Sequence, residues 1–101
     1  MNFETGTHVK ISMSSLRGYV TANFWDLVEK FGEPTYNESF GEDKVDVEWC
    51  IEFEDGTIAT IYNWKDYDGG QRCRTDATYR WHIGGFSNEA VDAVQAVVGG
   101  F

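Results

Sequence analysis

The chain has 101 residues, of which 42% are hydrophobic and 16% aromatic. That is enough apolar material for one packed core, and it excludes a disordered polymer. With 17 Asp and Glu against 8 Lys and Arg, the formal net charge is −9, a field that repels nucleic acid and anionic membranes and favours a basic partner.

The apolar runs are far too short to span a bilayer, so no membrane association is expected. No basic stretch followed by an apolar one opens the chain, so no signal peptide is expected either. Cys50 and Cys73 are too few for a disulfide framework. Cys50 reads as a small buried side chain and Cys73 as an exposed thiol in a polar loop.

In chain order, the first element is a strand over 9–13, with Val9, Ile11 and Met13 facing inward. Residues 14–18 break it, and 18–21 either resume an extended path or lead into a helix. Asn23 is an N-cap and Asp26 favours the helix dipole. Phe24, Leu27, Val28 and Phe31 follow helical spacing, and Gly32 with Pro34 stops the helix. Phe24 and Phe31 are expected to pack near Trp49 and Tyr62. Residues 35–44 form a polar connection.

A hairpin follows, and it dominates the pattern. Val45, Val47, Trp49, Ile51 and Phe53 alternate with acids and Cys50, which marks a half-buried strand. Asp55-Gly56 suits a two-residue turn. That turn would pair Phe53 with Ile58, Ile51 with Thr60, Trp49 with Tyr62 and Val47 with Trp64 on one apolar face. Residues 65–78 carry paired glycines and no periodicity, and read as a mobile loop. Residues 79–83 form a third strand, with Tyr79, Trp81 and Ile83 inward. Ser87 caps a second helix, 88–98, whose stripe is Ala90, Val91, Val94, Val97 and Val98. The expectation is one α+β domain over residues 1–101. Its antiparallel sheet has three to four strands, with two helices packed on one face.

Few residues suggest catalysis. No Cys or His spacing matches a metal site, and Asp66 and Asp68 near Gly69 are only a fragment of a calcium loop. No metal or other cofactor is expected. There is no serine elbow, and Cys50 with His82 across the sheet reads as a core pair. Glu48 and Glu52 stand about 13 Å apart by strand rise, too far for a retaining glycosidase pair. The chain is therefore read as a non-enzyme.

Two charged features stand out. The first is an acidic ladder, Asp46, Glu48, Glu52, Glu54 and Asp55, with Glu38, Glu42 and Asp43 upstream. Carboxylates about 6–7 Å apart on one strand face approximate phosphate spacing, the physical basis of DNA mimicry. The second is the local basic group Lys65, Arg72 and Arg74 around Gly69-Gly70, an anion-binding loop in outline.

Four segments also resemble a known group. They are Leu27-Val28-Glu29-Lys30-Phe31-Gly32-Glu33-Pro34, Asp43-Lys44-Val45-Asp46-Val47-Glu48-Trp49, Gly56-Thr57-Ile58-Ala59-Thr60-Ile61-Tyr62-Asn63-Trp64-Lys65 and Trp81-His82-Ile83-Gly84-Gly85. This combination of FGEP, DKVDxEW, DGTxATIYxWK and WHIGG signatures is similar to small proteins encoded by bacteriophages and prophages, over roughly residues 16–98. The resemblance implies a phage origin and expression in the host bacterial cytoplasm, and no activity.

Three functional readings follow. The first is an acidic, non-enzymatic inhibitor of a host protein, acting against defence systems such as CRISPR effectors or restriction enzymes. The ladder would meet the basic surface of a nucleic-acid-processing enzyme, with no direct contact to nucleic acid. The second is a binding module for a small anionic ligand such as a signalling nucleotide. Lys65, Arg72 and Arg74 would hold phosphate there, and Tyr67 or Trp81 would stack on the base. The third is a structural homodimer.

Overall fold

The computed structural model describes residues 2–37 and 44–99. The elements run β1 (Phe3–Thr5), β2 (Ser15–Thr21), α1 (Phe24–Phe31), β3 (Glu48–Phe53), β4 (Ile58–Tyr62), α2 (Gln71–Thr75), β5 (Arg80–Gly85) and α3 (Glu89–Val98). The α+β class is as expected, but among the described residues five strands and three helices replace the smaller count. The strands form one antiparallel sheet in the order β1-β3-β4-β5-β2.

Both long helices form where the sequence places them. Asn23 caps α1, its side chain accepting from the Trp25 amide at 2.7 Å, and Gly32 closes it at φ 84°. Phe24, Leu27 and Phe31 are buried, as the spacing predicts. In α3 the buried stripe is Ala90, Val94 and Val98. Its N-cap is Asn88 rather than Ser87, with no side-chain cap bond.

The helices cover one face of the sheet. That core holds Trp49, Ile51, Phe53, Ala59, Ile61, Trp81 and Ile83 from the strands, with Phe24, Leu27, Ala90 and Val94 from the helices. Trp49 and Trp81 meet edge to face at 5.4 Å, a favoured quadrupole geometry. Each buried indole is satisfied: Trp49 donates to the Gly32 carbonyl at 2.9 Å and Trp81 to the Ala22 carbonyl at 3.0 Å. Glycines let α3 come close. A Cβ on Gly85 would lie 2.5 Å from the Ala90 Cβ, and one on Gly18 would lie 2.9 Å from Val91.

The hairpin register differs from expectation by one residue. Glu48 faces Tyr62, Trp49 faces Ile61, Cys50 faces Thr60 and Glu52 faces Ile58. The loop has three residues, Glu54-Asp55-Gly56, with the Phe53 amide donating to the Thr57 carbonyl at 2.8 Å and Gly56 at φ 90°. This is the longer hairpin loop in which glycine takes the left-handed position. A one-residue slip inverts β4. Ala59 and Ile61 therefore enter the core, while Tyr62 and Trp64, expected inside against Trp49 and Val47, lie on the opposite face.

Other expectations are corrected. Residues 9–13 are not a strand. Instead β1 and β2 flank that segment and occupy opposite edges of the sheet. The connection between them must cross the sheet. Val9 and Cys50 are buried yet lie outside the helix-side core, so the crossing shields the open face around Cys50 and Thr60. Residues 65–78 hold a helix, α2, and its Cys73 is fully buried rather than exposed. Burial pushes the Cys73 thiol up to about 12. Gly99 ends α3 at φ 80°. The upstream acids Glu38, Glu42 and Asp43 lie outside the described residues, as do Gly100 and Phe101.

Among the described residues, no helix is long and apolar enough to cross a membrane.

Candidate functional site

Alternation sends one set of strand side chains into the core and the other to the open face. Across β3-β4-β5-β2 the open face carries one row: Glu48, Tyr62, His82 and Tyr19, each opposite the next. The Tyr19 and His82 rings lie 5.0 Å apart, and those of Tyr62 and His82 5.5 Å apart. Trp64, just past β4 and 39% exposed, stands 6.2 Å from His82 and 6.1 Å from Tyr62. His82 thus sits among three aromatic rings.

Cations surround this cluster. The Arg80 guanidinium lies over the Tyr19 ring at 4.3 Å. The Lys44 and Lys65 ammonium groups lie 5.9 and 5.7 Å from the Trp64 ring. A cleft of about 260 Å³ opens here, walled by Trp64, His82, Tyr79, Arg72, Arg80, Asp66, Asp76 and Thr78.

The cluster's titrations follow from its partial burial. Burial lowers the pKa of His82, and the Arg80 charge lowers it further. Its imidazole is therefore neutral at pH 7, and its Nδ1 is buried without a hydrogen-bond partner among the described residues. Burial raises the Glu48 carboxyl. Burial also raises Tyr62, helped by the Glu48 charge opposite it. Cys50 is pushed up to about 11, by burial first and then by Glu48. It shares its row with Thr60 and Gly84, not with His82, so the expected Cys50–His82 pairing across the sheet does not form.

The acidic ladder is dispersed. Asp46 is buried, and its Oδ2 accepts from the Asn63 amide at 2.8 Å. Asn63 Oδ1 in turn accepts from the Asp46 and Val47 amides at 2.7 and 3.0 Å. Asp46 is thus a fold residue and is not presented to a partner. Glu48 belongs to the aromatic row. Glu54 and Asp55 are exposed in the turn. The Asp55 carboxylate accepts from the Thr57 amide at 3.0 Å, which holds its pKa below the usual carboxylate range.

Glu52 has a neighbour that the sequence reading missed: Glu4 stands directly opposite it across β1–β3. Glu4, Glu52 and Glu54 line a second cleft of about 380 Å³ with Asn2, Phe3 and Phe53. Among the described residues the one ion pair is His8 to Glu4, at 3.6 Å.

The loop bases also separate. Arg74 is engaged internally, donating to the Gly69 carbonyl at 2.9 Å and to Asn37 and lying 5.8 Å from the Phe24 ring. Arg72 and Lys65 are exposed. Trp81 is buried and cannot stack on a ligand, and Tyr67 is exposed but does not line the cleft. Trp64 and His82 line the cleft instead, their rings tilted 42° to each other. The inward set of the third strand already left Arg80 and His82 outward, whereas the assumed turn sent Tyr62 and Trp64 inward.

Among the described residues, no three His, Cys, Asp or Glu side chains gather where a metal could sit. No protein-family model, curated protein or solved structure matches this chain.

Proposed function

We propose that this is a phage-encoded accessory protein that acts without catalysis, by binding and blocking a basic host protein in the bacterial cytoplasm. Its target class is a nucleic-acid-processing defence enzyme, a CRISPR effector or restriction enzyme. The acids that would meet it are Glu4, Glu52, Glu54 and Asp55. Asp46 is withdrawn from the expected set because it is buried.

One observation carries the reading: Glu4 and Glu52 face each other across the β1–β3 pair, and among the described residues the one basic group within ion-pair distance is His8, 3.6 Å from Glu4. Like charges directly opposite cost a sheet stability. A fold that bears this cost beside an acid-lined cleft gains from a cationic partner that relieves it. The same charges would speed encounter with a basic surface.

This predicts an inverse relation between stability and binding. Glu52→Lys converts the like pair into an opposite pair and should stabilise the fold by about 0.2–1 kcal/mol. It should also weaken capture of the host protein at least tenfold. The measurement is an affinity pull-down from host lysate at low and high salt, beside a thermal melt of each variant. Supporting results are a basic protein captured at low salt, released at high salt and lost with Glu52→Lys. Undiminished capture by the folded variant would sink the proposal.

A further inference from the structure

We infer that the cleft beside Trp64 is a binding site for a free mononucleotide. Its base would stack on Trp64 and His82, and its phosphate would lie between Arg72 and Arg80. This goes beyond the proposed function and uses the other end of the open face, so either can fail alone.

The cations around the cleft favour an anion. Asp66 and Asp76 balance Arg72 and Arg80 in its wall, and each carboxylate is turned toward an internal donor. Asp66 Oδ2 accepts from the Tyr79 hydroxyl at 2.6 Å, and Asp76 Oδ1 accepts from the Thr78 amide and hydroxyl at 2.9 and 3.2 Å. Arg72 and Arg80 have no carboxylate within ion-pair distance among the described residues. The Arg72 backbone amide donates to Asp68 at 2.9 Å, and its side chain is exposed. Lys44 and Lys65 add two exposed ammonium groups over the Trp64 ring. Of the eight Lys and Arg residues, two thus line the cleft and two more flank one of its walls.

The aromatic side chains specify what kind of anion. A bare phosphate needs no indole, whereas a base gains stacking on any aromatic face. Trp64 is 39% exposed and already attracts the Lys44 and Lys65 ammonium groups, at 5.9 and 5.7 Å, and its exposed part can also receive a planar partner.

Size and overall charge narrow the ligand. The cleft, at about 260 Å³, is smaller than most ligand pockets. It suits one base with one phosphate rather than a dinucleotide. The acidic remainder of the surface repels a polyanion, which selects a free nucleotide over a nucleic acid strand.

The test is titration calorimetry and tryptophan fluorescence on the intact protein. The probes are AMP, GMP, CMP and UMP, their nucleosides, inorganic phosphate and a 5′-phosphorylated single-stranded oligonucleotide. The expected result is binding of at least one mononucleotide, with its nucleoside and phosphate each at least tenfold weaker. Trp64→Ala should weaken that binding about 10- to 100-fold, Trp64→Phe should restore most of it, and Arg72→Ala should weaken it about tenfold. All these residues are exposed, and thermal melts report whether each variant folds. The inference is overturned if no mononucleotide binds at about 1 mM, or if phosphate alone binds as tightly. It is equally overturned if the oligonucleotide binds more tightly than the mononucleotide, or if folded Trp64→Ala binds like the parent.

Discussion

The two faces of the sheet are built from the same strands and follow opposite rules. On the helix side Trp49, Ile51, Ile61, Trp81 and Ile83 are fully buried, and each is apolar or has its one polar atom paired. On the open side the alternate positions are Glu48, Tyr62, His82 and Tyr19, half-exposed and titratable. The first face is selected by removal of apolar surface from water. The second holds a partly buried carboxyl and an unpartnered imidazole nitrogen, both of which cost stability. Groups that weaken a fold and share one open face are more readily explained by what they bind than by what they hold together.

If that division is right, substitutions on the two faces should differ sharply. The largest effect belongs to the core. Trp81→Ala removes a fully buried indole packed on Trp49, Tyr79 and Phe24, and should cost about 3–5 kcal/mol in urea denaturation. Trp64→Ala, the variant used on the open face, removes a partly exposed indole and should cost no more than about 1–2 kcal/mol. Comparable losses for the two would erase the distinction.

The next effect probes where the open face ceases to be open. A Cβ on Gly84 would stand 2.6 Å from Thr60 Oγ1 and 3.5 Å from the Ser15 carbonyl. Gly84→Ala should therefore destabilise by about 1–3 kcal/mol, and adding Thr60→Ala should recover part of that. If Gly84→Ala is neutral, the Thr60 hydroxyl does not press on Gly84 as described.

The smallest effect is a pH dependence. The folded pKa of His82 is lowered from its ordinary 6.5, so the unfolded chain binds the proton more readily. The stability this contributes is fully present above pH 6.5, and is lost as pH falls through the lower folded value. The advantage of the parent over His82→Gln should therefore shrink as thermal melts move from pH 7.5 to pH 5. A constant difference would mean that His82 is as free to charge when folded as when unfolded.

The buried polar group at the end of the core departs from the two-face rule, as do the shielded Cys50 and Thr60 on the other side. Asn63 lies in line with Ile61, yet it bridges the backbone and carboxylate of Asp46. It ties the segment entering β3 to the segment leaving β4, with hydrogen bonds where the apolar pairing runs out.

What the sequence determined by itself was local. The span and cap of α1, the span of α3 and the inward set of β3 and β5 follow from spacing and caps within a few residues. In each case only one face of the element is apolar, so only one orientation buries it. The tertiary structure decided everything that depended on a distant partner. In the run Ile58 to Trp64 large apolar groups fall on both faces, so periodicity could not choose between a two-residue and a three-residue loop. Pairing with β5, which sets Ile61 beside Ile83 and Tyr62 beside His82, made the choice. β1 and β2 are edge strands with little alternation of their own and exist through ladder bonds to residues far along the chain. Folding joined Glu4 to Glu52 and Trp64 to His82. Both candidate surfaces therefore depend on register, the property that local pattern constrains least when a strand is apolar on both sides.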